Sequence, residues 1–314
     1  MIISASRRTD IPAFYSEWLM NRIRAGFCMV RNPFQPGQVS RVSLRLEDVD
    51  AIVFWSKNPQ PLILRLDELD QRGYRYYFQF TLNDYSNLLE PAVPPLKERL
   101  DTFQALSRRL GKSRVIWRYD PIIISNITDY SYHRQSFQGL CSRLADHTER
   151  VMVSVVDYYK KTSRNLARLE QEGYRFERRL RANLDLDELL QFLAKTAHQH
   201  GLQIFTCAEE RDYTEFGLPP GRCVDGELIE KLWGLTGPWK KDPGQRKACG
   251  CAVGKDIGET DSCLHHCPYC YATRDGKAAS RKALLHDPNS TALFGNPEPS
   301  PPAAAPPSGS DSVE

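Results

Sequence analysis

Short apolar runs alternate with longer amphipathic segments along most of this chain of 314 residues, and this alternation restricts its fold more than any other feature. The runs are nearly continuous in apolar character, as strands are when both faces of a sheet are covered. We predict strands at 2–6, 27–30, 51–55, 76–82, 115–119, 151–156 and 202–206. An eighth, shorter strand is predicted within 252–258.

Between these runs, apolar residues recur at helical spacing, which predicts helices. The helical segments lie at 18–23, 62–71, 95–110, 132–144 and 186–200. Strands that alternate with helices predict an α/β fold with a parallel sheet. The number and size of the units favour a TIM-type (β/α) barrel, complete or nearly so, over the rival doubly wound open sheet.

The composition excludes several classes of protein. Lys and Arg total 42 against 39 Asp and Glu, so the net charge of +3 does not imply a nucleic-acid substrate, although it is compatible with one. No segment has the roughly 18 apolar residues of a membrane span, and the first residues lack the pattern of a secretory signal. We therefore expect a cytoplasmic protein with no membrane partner, in which clustered cysteines bind metal rather than form disulfides.

Polar residues follow most of the predicted strands. In a barrel of this type, the ends of the strands and the loops after them build the active site. The candidates for catalytic roles are Arg7, Asp10, Lys57, Arg118 and Asp120. Guanidinium groups match carboxylates and phosphates, so these cations suit an anionic ligand. The alternative interpretation is a set of ion pairs at the rim of the barrel.

Three cysteines near the C-terminus have C-x3-C-x2-C spacing: Cys263, Cys267 and Cys270. Iron–sulfur clusters are held by thiolates, and a cubane usually takes four. Three thiolates from one loop would leave one iron without a protein ligand, and an open position is typical of a catalytic metal centre. A zinc site is the alternative interpretation of the same three residues.

This cysteine run resembles the signature of the radical S-adenosylmethionine (SAM) enzymes. The resemblance implies a [4Fe–4S] cluster on the three thiolates, with SAM bound at the open iron and Tyr269 near its adenine. It also implies an enzyme that cleaves SAM to a 5′-deoxyadenosyl radical, which abstracts hydrogen from a substrate not yet known. An electron donor such as flavodoxin or ferredoxin would be a partner.

The position of the run differs from the usual radical SAM pattern, in which the signature follows the first strand. Here it follows the last predicted strand, so the barrel is expected to be circularly permuted. No Gly-Gly-Glu run follows the signature to bind the SAM amino group. Contacts to SAM are therefore expected from the first strand and its polar end, for which Ser4, Ser6 and Arg8 are candidates.

Four further cysteines precede the signature. They are Cys207, Cys223, Cys249 and Cys251. Four thiolates would complete a closed site for a second [4Fe–4S] cluster or a structural zinc ion. The gaps between them are long, which makes this pattern less specific than the signature.

Several short motifs together resemble the domain-of-unknown-function 1848 family. They lie at 3–12 (ISASRRTDIP), 54–59 (FWSKNP), 119–122 (YDPI), 206–209 (TCAE), 223–225 (CVD) and 249–251 (CGC), followed by the signature. The resemblance extends over about the first 280 residues. It implies a radical-SAM-like cluster near the C-terminus and fixes a class of cofactor rather than a substrate.

The predicted organisation has three parts. A barrel spans 1–248, a cysteine-rich iron–sulfur segment that completes it spans 249–285, and a disordered tail rich in Pro, Ala and Ser spans 295–314. Radical SAM chemistry is the leading functional hypothesis. The alternatives are an iron–sulfur protein for electron transfer or redox sensing that does not use SAM, and a zinc-stabilised binding module.

Overall fold

The computed structural model describes residues 1–178, 180 and 183–300. Within them, seven strands form one parallel sheet in the order β8-β7-β6-β5-β4-β1-β9. These strands are β1 (Ile2–Ala5), β4 (Ala51–Ser56), β5 (Tyr76–Thr81), β6 (Val115–Ile122), β7 (Arg150–Val155), β8 (Gln203–Thr206) and β9 (Gly254–Asp256). The predicted α/β class and parallel sheet are confirmed.

Helices connect the strands of the sheet. They are α1 (Ile11–Phe14), α2 (Ser16–Ala25), α3 (Gln60–Ile63), α4 (Leu66–Gln71), α5 (Leu96–Leu110), α6 (Tyr130–Leu144), α7 (Lys160–Glu170), α8 (Leu184–Gln199), α9 (Gly226–Trp233) and α10 (Gly276–Ala283). Each helical segment predicted from sequence contains a helix. Helices α1, α7, α9 and α10 lie outside those segments. No helix in the part of the chain that the structure describes is both long and apolar enough to cross a membrane.

The prediction of a barrel strand at 27–30 is wrong. These residues belong to β2 (Phe27–Arg31), which pairs antiparallel with β3 (Val39–Ser43) in a separate two-stranded sheet. The intervening residues contain two prolines and a glycine, and Asn32 N donates to Gln38 O at the neck of this turn. Such a turn returns the chain at once, so β2 finds its partner locally instead of entering the parallel sheet. The eighth predicted strand is confirmed, because β9 pairs in parallel with β1.

The two edge strands, β8 and β9, do not pair with each other among the described residues. An irregular segment, 219–225, lies between them. Gly221 N donates to Thr206 O of β8 over 2.8 Å, and Val224 O accepts from Ala252 N, two residues before β9, over 2.9 Å. The segment therefore contacts the chain at both edges of the sheet, and a closed barrel is not observed.

Side chains of successive strand residues alternate between two apolar clusters. Ile3, Phe54 and Phe78 belong to the larger cluster, which also contains the buried sides of the main helices. Val53 and Tyr77 point the other way, into a smaller cluster that includes several cysteines. Both faces of the sheet are thus covered, which explains why its strands are nearly continuous apolar runs.

Residues at the start of the predicted tail contact the β2–β3 hairpin. Ser300 N donates to Val39 O over 2.9 Å, and Ser300 Oγ donates to Gly37 O over 3.1 Å. The rest of that predicted tail, 301–314, lies outside the described residues.

Candidate functional site

A cavity of about 410 Å³ lies where the parallel strands end at their carboxyl side. All seven cysteines after residue 200 line it, namely Cys207, Cys223, Cys249, Cys251, Cys263, Cys267 and Cys270. The candidates Ser6, Arg7, Arg8, Asp10, Lys57, Arg118, Asp120 and Tyr269 also line it. The carboxyl ends of parallel strands meet at one edge of a sheet, which is why residues so far apart in sequence share one cavity.

The signature loop places its three thiols in this cavity. Cys267 is buried, whereas Cys263 and Cys270 are partly exposed, and Cys270 N donates to Cys267 O over 3.1 Å. Burial raises the pKa of Cys267 to about 12 and raises the pKa of Cys263 well above its ordinary value. Without a cation bound beside them, both thiols therefore stay protonated at neutral pH.

Asp10 anchors one side of the signature loop. Its Oδ2 lies 2.8 Å from His265 Nε2 and accepts from Lys57 N over 2.7 Å, while its Oδ1 caps α1 by accepting from Ala13 N. His265 is almost fully buried. The carboxylate proposed from sequence as catalytic is therefore engaged in fixing the loop, and His265 is an anchor that sequence reasoning missed.

Glu90 anchors the other side of the loop. This buried carboxylate accepts from Tyr269 Oη over 2.6 Å and from Lys57 Nζ over 2.7 Å, and Arg99 Nη1 lies 3.3 Å away. Burial alone would raise the pKa of Glu90. The positive charges of Lys57 and Arg99 outweigh this effect, so the pKa lies below its ordinary value. Glu90 lies in a loop between β5 and α5, where no sequence signal marked it.

The four remaining cysteines also line the cavity, and several of them contact one another. Cys207 Sγ and Cys223 Sγ are 3.2 Å apart, and Cys251 Sγ accepts from Cys223 N over 3.3 Å. The hydrogen bond between Cys207 and Cys223 lowers the pKa of Cys207 to about 7, and Arg118 contributes. No three His, Cys, Asp or Glu side chains of the described residues converge closely enough to hold a single metal ion.

Two guanidinium groups face this second set of cysteines. Arg118 Nη1 donates to Cys223 Sγ over 2.7 Å, and its other nitrogens bind Asp120. Burial opposes the charge on Arg118, but Asp120 and Cys223 raise its pKa overall. Arg7 and Arg118 lie over the ring of Trp55 at 5.4 and 5.1 Å from its centroid.

The cations that line the cavity are not equivalent. Each of four is paired with a carboxylate: Arg8 with Asp256, Lys57 with Glu90, Arg118 with Asp120, and Arg246 with Asp157. Arg7 has no such pair among the described residues, and its buried Nη2 atom has no hydrogen-bond partner.

Asp256, at the end of β9, binds the residues predicted to contact SAM. Ser4 Oγ and Ser6 Oγ donate to its two oxygens over 3.0 and 2.6 Å, and Arg8 Nε lies 3.5 Å away. Ser4 also accepts from Trp55 Nε1 and does not line the cavity, whereas Ser6 and Arg8 do. The sequence analysis did not select Asp256, although it lies in the predicted eighth strand. Its position at the polar end of that strand could have identified it as a candidate.

The donor set of the cavity fits two kinds of group. Thiolates are the protein ligands that iron–sulfur clusters take, and the three thiols of the signature loop all line this cavity. The unpaired guanidinium of Arg7 offers donors that suit a carboxylate or a phosphate. The residues present therefore fit an iron–sulfur cluster together with an anionic ligand.

Fold and cavity together define an α/β protein with a polar, cysteine-lined cavity at the carboxyl edge of a parallel sheet. The chain belongs to the DUF1848 family, a domain of unknown function, whose model matches residues 2–272. That range contains every strand described above and all seven cysteines of the cavity. A comparison with curated proteins finds no match.

Proposed function

We propose that this protein is a radical SAM-type enzyme whose [4Fe–4S] cluster is held by Cys263, Cys267 and Cys270. One observation carries the proposal: three thiols from one anchored loop line a cavity at the carboxyl ends of parallel strands. When bound, such a cluster supplies the electron for reductive cleavage of SAM to a 5′-deoxyadenosyl radical, which abstracts hydrogen from a substrate that stays unidentified.

The protein's own residues have distinct roles in this proposal. Asp10 and Glu90 fix the cysteine loop through His265 and Tyr269, so that the three thiolates hold their spacing. Arg7 orients an anionic group of SAM or substrate, because it is the cavity cation that lacks a carboxylate partner.

The sheet suits a barrel-type interpretation. We infer an incomplete (β/α) barrel whose gap between β8 and β9 is covered by segment 219–225. The signature follows β9, and β9 pairs with β1. In the usual radical SAM order the signature follows the first strand, so here the loop follows the strand next to β1. This arrangement supports circular permutation relative to other radical SAM enzymes.

The second set of cysteines is proposed to hold a second [4Fe–4S] cluster. Its sulfurs contact one another but do not meet at one point, which suits a polynuclear cluster better than a single zinc ion. The same closed set favours the second candidate function, an iron–sulfur protein for electron transfer or redox sensing without SAM. A zinc-stabilised module is the third candidate. A cytoplasmic location is proposed in each case, and a reducing partner is proposed for the radical SAM function.

The decisive experiment is anaerobic reconstitution with iron and sulfide, followed by dithionite and SAM, with 5′-deoxyadenosine as the readout. We expect its formation in the wild type and loss below detection in C263A, C267A and C270A. The matched control is Cys141→Ala, a buried cysteine of α6 outside the cavity, which should retain activity.

Each other outcome has a defined meaning. An iron-loaded wild type that forms no 5′-deoxyadenosine would favour electron transfer or sensing. A colourless, zinc-loaded protein would exclude both iron–sulfur functions. Undiminished 5′-deoxyadenosine formation in all three signature variants would refute the assignment of the ligands.

A further inference from the structure

A patch of positive charge lies outside the cavity. It is formed by residues of α7, residues of α10 and one residue just before α10. It consists of Arg164, Arg168, Arg274, Lys277 and Arg281, which we call the basic face. All five of these residues are exposed. Among the described residues, Arg168, Lys277 and Arg281 have no ion-pair partner, so most of this charge is available to another molecule.

The two helices form one continuous surface. Arg168 of α7 lines a shallow depression together with His266, Lys277, Ser280 and Arg281. Nearby, Arg164 Nη2 donates to Arg274 O over 3.0 Å. The cations of both helices therefore meet along one edge.

Two carboxylates lie among these cations, namely Asp275 and Asp261, whose Oδ2 lies 3.5 Å from Arg274 Nη2. Asp275 caps α10, and the hydrogen bond from Ala278 N is the largest of the effects that lower the pKa of its carboxyl group. Arg281, Arg168 and Arg274 lower the pKa further by their charge. The five cations of the basic face thus outnumber these two acids, and the face keeps an excess of positive charge.

The basic face lies directly over the signature loop. A Cβ atom at Gly276, the first residue of α10, would stand 2.8 Å from His266 Nδ1, and His266 adjoins Cys267. From α7, Thr162 Oγ1 donates to Tyr269 O over 3.4 Å, and Asn165 Nδ2 donates to Thr273 O over 3.4 Å. Both helices thus pack on the loop that holds the three thiols, with their cations on the outer side.

We propose that the basic face is the docking surface for an acidic protein that donates single electrons to the cluster on Cys263, Cys267 and Cys270. The proposal rests on the proposed function, which needs one electron for each cleavage of SAM. Electron transfer slows steeply with distance, so a donor must dock where the cofactor comes nearest the surface. Redox encounters are small and weak, and complementary charge steers them.

A nucleic acid is the less favoured occupant. The chain as a whole carries a net charge of only +3, whereas sequence-independent binding to nucleic acid depends on many phosphate contacts. Single-stranded nucleic acids also use aromatic platforms for stacking. Among the described residues that line the depression, His266 alone has a ring.

The test compares two charge-reversal variants of the reconstituted full chain. The face variant is R168E/R281E. The control is R108E/K112E, which makes the same charge change at exposed residues at the end of α5, just before the amino end of β6 and away from the cavity. Bleaching of cluster absorbance gives the rate of reduction by reduced flavodoxin, the acidic donor, and by photoreduced deazaflavin, a small reductant.

With flavodoxin, we expect the face variant to be reduced about tenfold more slowly than the wild type at low salt, since steering contributes tenfold or more to association. The control should stay within about twofold of the wild type, and higher salt should narrow the difference. Deazaflavin should reduce all three proteins alike, which shows that the cluster itself is intact.

A flavodoxin rate that is unchanged in the face variant, or lowered equally in the control, overturns the proposal. An unchanged flavodoxin rate with lost affinity for a fluorescent single-stranded oligonucleotide overturns it in favour of nucleic acid. The proposed function fails separately, if the wild type is reduced by flavodoxin with the expected charge dependence but forms no 5′-deoxyadenosine.

Discussion

The two sets of cysteines in one cavity are built in opposite ways. Cys263, Cys267 and Cys270 come from a single loop that two carboxylates, Asp10 and Glu90, anchor from behind. The other set comes from three separate parts of the chain and faces guanidinium groups. This second set, Cys207, Cys223, Cys249 and Cys251, depends on the edges of the sheet meeting through segment 219–225.

The difference shows that the spacing of the thiols and their electrostatic surroundings are set by different parts of the structure. An anchored loop sets the spacing of its thiols locally, whereas the second set obtains its spacing from the closure of the fold. The electrostatic surroundings also differ, because burial raises the pKa of Cys267 while Cys223 and Arg118 lower that of Cys207. Three predictions test this contrast, from the largest expected effect to the smallest.

Replacing Glu90 should be the most damaging change to the anchored side. In Glu90→Ala, the buried Arg99 and the partly buried Lys57 lose their carboxylate, and Tyr269 loses its acceptor. Breaking a buried ion pair by removing one partner costs about 3–5 kcal/mol. We expect a loss of that size in the free energy of unfolding, measured by urea denaturation.

The matched control for Glu90→Ala is Glu68→Ala. Glu68 also binds two cations, Arg24 and Arg72, but on the surface. Exposed pairs of this kind contribute roughly 0–1 kcal/mol, so the control should lose no more than that. Similar losses in both variants would contradict the view that Glu90 anchors the loop.

Thiol reactivity should separate Cys207 of the second set from Cys267 of the signature loop in the reduced, metal-free protein. The thiolate is the nucleophile, so alkylation of Cys207 should reach half its maximal rate near pH 7, whereas Cys267 should need a pH near 12. The lowered pKa means that Cys207 keeps its thiolate at pH values where Cys267 is fully protonated. Iodoacetamide labelling followed by peptide mass spectrometry measures both profiles.

Arg118 provides the control for this experiment. Arg118→Met removes the positive charge beside Cys223 and should move the Cys207 midpoint to higher pH, while Arg118→Lys should keep it lower. Equal midpoints for Cys207 and Cys267 in the wild type would show that the two sets share one electrostatic environment.

The smallest effect is expected from crowding the segment between the sheet edges. A Cβ atom at Gly221 would lie 2.6 Å from Met152 Cε and 2.6 Å from Phe205 Cβ. Gly221→Ala should therefore cost about 1–3 kcal/mol of unfolding free energy, as overpacking does. It should also lower the iron bound by the second set and spare that bound by the signature loop.

Gly139→Ala is the control for Gly221→Ala. Gly139 lies inside α6, and a Cβ atom added there would meet no neighbour within 4 Å, so alanine should stabilise the helix by about 0.5–1 kcal/mol. Stabilisation by both substitutions would mean that segment 219–225 is not packed tightly between the edges.

Most strands could be predicted because a strand covered on both faces must be apolar along its length. The same reasoning failed for β2, since a buried hairpin strand has the same composition, and the partner strand β3 is mostly polar. Helix α7 was missed because its charged residues obscure the apolar stripe. Closure of the sheet depends on segment 219–225, which has no regular pattern.

The candidate site was predictable where it depends on strand ends and on the signature, because both are local in sequence. Those rules placed Arg7, Lys57 and Arg118 at one cavity. The partners of these residues come from distant parts of the chain, as Glu90 does for Tyr269 and Asp256 does for Ser4. Only the tertiary structure shows that such side chains are already engaged.

The pairing of β1 with β9 has a consequence for synthesis on the ribosome. The outer edge of β1 emerges first, yet the strand that covers it is made almost 250 residues later. At about 5–20 residues per second, that edge waits roughly 12–50 s. Unpaired edges invite association with other chains, so nascent molecules need protection during this interval. The signature cysteines follow β9 within a few residues. The strand that covers the edge of β1 and the proposed cluster ligands are therefore synthesised at nearly the same time.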